Sequence, residues 1–192
     1  MKAITRVLMA TGLMVTATAV SAHAGHDADT GFASGLLHPM LGLDHLLAMA
    51  AIGFWSVRQS ATLKNSTPLF VIGGMILGAG IAWGGLSLPG VETGIALSVL
   101  LAGILIATMA KLPTAVGGSL VGAFMVFHGF AHGAEMPAGA AMVAYLAGFS
   151  IATLAITFAG RGLGALLLKA DNRIARGFGA VLVGTGAVLM AS

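Results

Sequence analysis

Long apolar stretches separated by short polar connections dominate the chain after its first thirty residues. A helix needs about 20 predominantly apolar residues to cross the hydrocarbon core of a membrane. Six stretches qualify, at residues 32–57, 68–88, 91–110, 112–132, 136–159 and 174–190. The pattern predicts an all-α, polytopic membrane protein, built as a compact bundle of six transmembrane helices.

The composition agrees with a protein embedded in the lipid bilayer. Hydrophobic residues make up 58% of the chain and charged residues 8%, whereas soluble domains carry about 25% charged residues. The chain has no cysteine, which excludes disulfides, thiolate metal sites and thiol catalysis. A net charge of +3 without a basic cluster indicates that nucleic acid is not a partner.

The N-terminus has the features of a secretory signal peptide. Lys2 and Arg6 precede an apolar segment at residues 7–20, and Ala22-His23-Ala24 is a small-x-small cleavage sequence. We therefore divide the chain into a cleaved signal peptide, 1–24, and a six-helix transmembrane domain, 25–192. An uncleaved signal anchor is the alternative, and it leaves the same topology after residue 24.

Positive charge is confined to one side of the predicted bundle. With the mature N-terminus outside, the inner connections hold all seven Lys and Arg residues that follow residue 24, namely Arg58, Lys64, Lys111, Arg161, Lys169, Arg173 and Arg176. This distribution satisfies the positive-inside rule. It predicts a bacterial inner-membrane protein with a periplasmic N-terminus and with its histidines in the outer half.

Glycine pairs four residues apart predict close helix crossings, because small residues let two backbones approach each other. Such pairs include Gly74/Gly78, Gly80/Gly84, Gly118/Gly122 and Gly129/Gly133.

The first predicted span carries a histidine and carboxylate motif near its outer end, in the run His38-Pro39-Met40-Leu41-Gly42-Leu43-Asp44-His45. His38 and His45 are seven residues apart, which returns to nearly the same helix face after two turns. Pro39 favours a helix start or a kink. The motif predicts an outer turn lined by two imidazoles and the carboxylate of Asp44.

The fourth predicted span ends with a second motif. His128 and His132 stand at i and i+4, which places them on one face with β-carbons about 5–6 Å apart. Glu135 follows three residues later and shares that face if the helix continues. An ionisable side chain in a membrane segment costs free energy, and such residues are usually present for a function.

The two motifs together offer the nitrogen and oxygen ligands that a borderline divalent metal ion prefers. We predict that His38, Asp44, His45, His128, His132 and Glu135 form one metal site, with His26 and Glu92 as auxiliary residues for metal capture. Asp44 has an alternative role, which is to fix a histidine tautomer. The methionines beside the motifs would suit Cu(I), but at this methionine content flexible packing is the preferred explanation.

The sequence His38-Pro-x-x-Gly-x-Asp44-His45, with Phe127-His128-Gly129-x-Ala131-His132-Gly133-x-Glu135, resembles the HupE/UreJ family. The resemblance implies a secondary nickel permease that supplies hydrogenase or urease maturation, and not an enzyme. It implies Ni²⁺ as the transported substrate, with Co²⁺ or Zn²⁺ as alternatives, and no prosthetic group. Cytoplasmic maturation proteins for nickel enzymes are then the expected partners.

Two other functions fit the same ligands. A membrane-embedded hydrolase would hold Zn²⁺ with the histidines and carboxylates and activate a water molecule. A periplasmic metal sensor or storage protein would bind the ion without moving it.

Overall fold

The computed structural model describes residues 31–191, which form seven α-helices and no strand. The helices are α1 (Phe32–Leu41), α2 (Leu43–Ser56), α3 (Ala61–Trp83), α4 (Val91–Ala107), α5 (Thr114–Ala134), α6 (Met142–Ala170) and α7 (Asn172–Ala191). Helix α3 packs mainly against α5, α4 against α7, and α1 and α2 against α6. The all-helical prediction is confirmed for this range, and the predicted signal peptide lies outside the described residues.

Four of these helices, α3, α5, α6 and α7, are long and apolar enough to cross a membrane. The consecutive helices α1 and α2 provide a fifth span if the pair is counted as one. Helix α4 is equally apolar but has 17 residues. The chain is therefore a multi-pass helical membrane protein, and residues 31–191 provide four or five spans by these criteria.

The first predicted span is broken, and this corrects the expectation of one helix over residues 32–57. The backbone is extended at Gly42, with φ −88° and ψ 112°, and α1 and α2 meet there at a bend of 84°. Pro39 lies inside α1, where it removes one backbone donor. The chain bends three residues later, at Gly42, where an added Cβ atom would come within 3.1 Å of Asp44 Oδ1 and His45 Nδ1.

The bounds of α3 and α6 differ most from the sequence prediction, since α3 also ends earlier, at Trp83, and α6 also begins later, at Met142. Helix α3 begins at Ala61, because the hydroxyl of Ser60 caps it by accepting a hydrogen bond from the Leu63 N–H at 3.2 Å. Helix α6 continues to Ala170, so Arg161 lies within a helix and not in a connection.

The side chain of Arg161 joins three helices. Its Nε donates to the Ser56 hydroxyl at 3.2 Å, and its Nη2 donates to the Lys64 carbonyl at 2.6 Å. Because Ser56 ends α2 and Lys64 lies in the first turn of α3, the guanidinium ties α6 to both elements.

Helices α3 and α5 approach closely through two of the glycine pairs, Gly74/Gly78 and Gly129/Gly133. A Cβ atom on Gly78 would collide with the α5 backbone, and a Cβ on Gly129 would collide with the backbone of Met75 in α3. In contrast, a Cβ atom on Gly80 or Gly122 would meet no neighbour within 4 Å among the described residues. Gly129 and Gly133 of α5 thus serve the contact with α3, while the rings of His128 and His132 meet His45 of α2.

Candidate metal-binding site

Four imidazole rings form one contiguous group, which we call the histidine cluster: His38, His45, His128 and His132. The ring centroids of His45 and His128 are 4.7 Å apart, and those of His45 and His132 are also 4.7 Å apart. His38 joins the group through His132, at a centroid distance of 4.9 Å. The two sequence motifs therefore meet in space.

The rings reach the cluster from three helices. The sequence suggested that the seven-residue spacing of His38 and His45 places them on one continuous helix face. They do not share a face, because His38 belongs to α1 and His45 to α2. The bend at Gly42 instead directs both rings toward His132. His128 and His132 do share one face of α5, as the four-residue spacing predicted.

Exposure divides the site into two layers. In the outer layer, His38 Nε2 is 2.8 Å from Glu135 Oε2, with side-chain exposures of 27% and 56%. In the inner layer, His45, His128 and His132 are 8%, 0% and 1% exposed. An ion arriving from outside would meet the exposed pair before the three buried rings.

Asp44 holds the ring of His45. Its Oδ1 accepts hydrogen bonds from the backbone N–H of His45 at 2.7 Å and from Nδ1 of the same residue at 2.9 Å. Because the carboxylate is an acceptor, His45 Nδ1 carries a hydrogen and Nε2 is left with its lone pair. This geometry favours the alternative role for Asp44, that of orienting a ligand.

The inner layer contains nitrogen atoms without partners. His45 Nε2, His128 Nδ1 and both ring nitrogens of His132 are buried and have no hydrogen-bond partner within residues 31–191. A buried polar group left unsatisfied costs about 1–3 kcal/mol. A cation that prefers nitrogen ligands would relieve this cost, so the cluster has the chemistry of a cation site.

The donors are not yet arranged as a closed ligand shell. Within the part of the chain that the structure describes, no three His, Asp or Glu side chains form a ready metal-binding group. Two of the predicted ligands, His38 and Glu135, bind each other instead. Binding an ion to the outer layer would therefore require an exchange of partners.

Three further residues contact the cluster and were missed from the sequence. Phe149 of α6 stacks on His132 with centroids 5.4 Å apart, and the Tyr145 hydroxyl donates to the His132 carbonyl at 3.1 Å. Ser98 of α4 lies 2.9 Å from His128 Nε2 through its hydroxyl oxygen. Each stands in an apolar stretch far from the motifs along the chain, so no local pattern singles it out.

Of the two auxiliary residues, the structure describes only Glu92. Glu92 lies exposed in the first turn of α4, and it forms no ion pair with any residue described by the structure. His26 falls outside the described residues.

Comparison with known proteins gives consistent matches over most of the chain. The model of the HupE / UreJ protein family matches residues 11–189. Protein HupE of Rhizobium leguminosarum bv. viciae is 42% identical over 174 residues, which cover 88% of each chain. No solved structure matches the chain.

Proposed function

Because the chain belongs to the HupE/UreJ family, whose members resemble nickel and cobalt transporters serving hydrogenase and urease, we propose that it is a secondary Ni²⁺ permease. It moves Ni²⁺ from the periplasm across the bacterial inner membrane. The nickel then serves hydrogenase or urease maturation, through cytoplasmic proteins that accept the ion. Co²⁺ and Zn²⁺ are competing substrates, since imidazole binds all three ions.

The buried imidazole nitrogens without partners carry this proposal. Hydrated Ni²⁺ does not enter hydrocarbon, so it needs protein ligands in place of water along its path. His45, His128 and His132 supply three neighbouring rings with unused nitrogen atoms. They lie below a solvent-exposed histidine and carboxylate pair, which gives the ion a first contact.

The two layers suggest a transfer by ligand exchange. Ni²⁺ displaces the hydrogen bond between His38 and Glu135 and binds these side chains at the outer surface. His132 then takes the ion, because its ring lies against that of His38 on one side and that of His45 on the other. Conduction requires binding that is weak enough to release the ion, which agrees with an open ligand arrangement.

Six spans with a periplasmic N-terminus are the topology that we propose for this path. The bent pair α1 and α2 counts as one span, and the 17 residues of α4 are at the lower end of the length range for a spanning helix. The positive-inside distribution then orients the histidine cluster toward the periplasm. The sequence has no GxxxxGK[ST] nucleotide-binding loop, so no ATP site of this type drives the transfer.

Reconstitution of the purified protein into liposomes tests the proposal. Externally added Ni²⁺ should accumulate inside liposomes that contain the wild type, without any partner protein. His45→Ala and His132→Ala should abolish uptake at low Ni²⁺ concentration, while Asp171→Ala, at the other end of the bundle, should transport normally. Equal uptake by both histidine variants would refute the site, and lipid hydrolysis without uptake would favour the zinc hydrolase.

A further inference from the structure

Ser98 is the polar residue of α4 that reaches the histidine cluster from outside both motifs. It lies in the middle of that helix with an exposure of 1%. Its Oγ is 2.6 Å from the Ile95 carbonyl oxygen and 2.9 Å from His128 Nε2. Both distances are those of hydrogen bonds, so the single hydroxyl group of Ser98 takes part in two hydrogen bonds.

The hydrogen atoms of this group can be assigned from its donors and acceptors. A carbonyl oxygen only accepts, and two oxygen atoms 2.6 Å apart repel each other unless a hydrogen lies between them. The single hydroxyl hydrogen of Ser98 therefore points to Ile95. Its oxygen presents a lone pair to His128, so Nε2 of that ring must carry the hydrogen.

The other nitrogen of the same ring is then free to bind a cation. A neutral imidazole has one hydrogen, so the Nε2–H tautomer leaves Nδ1 with an unshared lone pair. His128 Nδ1 is buried and lacks a hydrogen-bond partner in the described range. We propose that Ser98 is a positioning residue that fixes the tautomer of His128 and presents Nδ1 as a cation ligand.

Asp44 performs the same task for the neighbouring ring, but through the opposite nitrogen. It binds Nδ1 of His45 at 2.9 Å and leaves Nε2 unpaired. The rings of His45 and His128 meet nearly perpendicularly, at 87°. A hydrogen-bond partner on the far side of a ligand ring commonly tunes metal affinity. In this protein an aspartate is that partner for His45, and a serine is that partner for His128. The inference about Ni²⁺ affinity rests on the proposed function, whereas the tautomer does not.

The chain offers a matched pair of variants. Ser98→Ala removes the hydroxyl, so nothing holds the hydrogen of His128 on Nε2. Ser98→Thr keeps the hydroxyl, and its added methyl group is next to a cavity of about 20 Å³ that Ser98 lines together with Trp55 and Phe124. Ser98→Thr should therefore keep the hydroxyl group that holds the hydrogen of His128 on Nε2, which Ser98→Ala removes.

Nitrogen NMR of ¹⁵N-histidine-labelled, metal-free protein in lipid nanodiscs measures the tautomers directly, with His128 assigned by a His128→Gln variant. The wild type and Ser98→Thr should show one His128 tautomer, protonated at Nε2. Ser98→Ala should show a mixture with the Nδ1–H form, while His45 stays protonated at Nδ1. Titration of the same samples with NiCl₂ should give an affinity that is lower by about 10–100-fold in Ser98→Ala and restored in Ser98→Thr.

The outcomes separate the two hypotheses. A wild-type His128 protonated at Nδ1, or weaker Ni²⁺ binding in Ser98→Ala with an unchanged tautomer, would overturn the positioning role. If the wild type shows the expected tautomers but does not bind Ni²⁺, the proposed function and the ligand role of Nδ1 fail together, and only the effect of Ser98 on the tautomer stands.

Discussion

Replacing His132 by leucine should separate the stability of the bundle from its capacity to bind metal. His132 is 1% exposed, and both of its ring nitrogens lack hydrogen-bond partners in the described structure. Leucine has a similar volume and no polar atoms. We therefore expect His132→Leu to be at least as stable as the wild type without metal, and less stable than the wild type with Ni²⁺.

The magnitude follows from two opposing contributions. Two unsatisfied nitrogens cost about 1–3 kcal/mol each, and leucine removes both costs. Ring contacts such as the stack on Phe149 contribute about 0.5–1.5 kcal/mol each, and leucine loses them. At the middle of each range, removing the two nitrogens gains about 4 kcal/mol, and losing the three ring contacts, with His38, His45 and Phe149, costs about 3 kcal/mol. The net gain is about 1 kcal/mol for the metal-free variant, and each kcal/mol shifts the midpoint of thermal unfolding by roughly 2–4 °C at this chain length.

Thermal unfolding in detergent, with and without Ni²⁺, measures both effects. At a Ni²⁺ concentration 100 times the dissociation constant, binding should stabilise the wild type by about 2.7 kcal/mol and the variant by nothing. Met49→Leu is the control, because Met49 is fully buried one turn below His45 and the exchange conserves volume. It should change stability by less than about 1.5 kcal/mol and keep the Ni²⁺ response.

Two results would refute this reasoning. A metal-free variant that unfolds several degrees below the wild type would show that the nitrogens of His132 are satisfied in the native protein. An equal Ni²⁺-induced shift in both proteins would show that His132 is not a ligand.

Three other predictions concern pH, the helix crossing and the guanidinium link. Ni²⁺ uptake should weaken as external pH falls from about 7 to 5, since protons compete with the metal ion for the imidazole nitrogens; a flat profile would contradict histidine ligation. Gly129→Ala should destabilise the protein by about 1–3 kcal/mol in thermal unfolding, because its new methyl group meets the α3 backbone, while Gly122→Ala should be neutral or slightly stabilising. Arg161→Lys should lower stability in the same assay, because one ammonium group does not reproduce the two divergent donors of the guanidinium. The exposed Arg176→Lys should not lower it, and equal effects of the two exchanges would contradict the link.

The sequence predicted that two distant motifs lie together, and the ring contacts agree, but it did not predict how the first of these segments is bent. Apolar length and charge distribution identified the helical membrane architecture, since both depend on composition over many residues. The spacing of His128 and His132 predicted their shared face, because that part of α5 is a regular helix. The spacing of His38 and His45 led to the wrong geometry, because the backbone leaves the helix at Gly42 within an unbroken apolar run.

Long-range pairings were also beyond the sequence. Ser98 and His128 are 30 residues apart, and no periodicity links them. Arg161 was assigned to a connection because a charge normally ends an apolar span. In the structure it belongs to α6, and its partly buried guanidinium is stabilised there by hydrogen bonds to α2 and α3. In both cases the tertiary contact decided the environment, and only the folded structure reveals it.

The histidine cluster has a consequence for how the protein is made. Its outer pair joins residues 97 positions apart along the chain, and the buried rings come from both halves of the sequence. A nascent chain that has left the ribosome only as far as Lys111 carries His38 and His45 without the rings that face them. The histidine cluster is therefore completed late in synthesis, when α5 joins the bundle, and an unfinished polypeptide lacks three of the six predicted ligands, His128, His132 and Glu135.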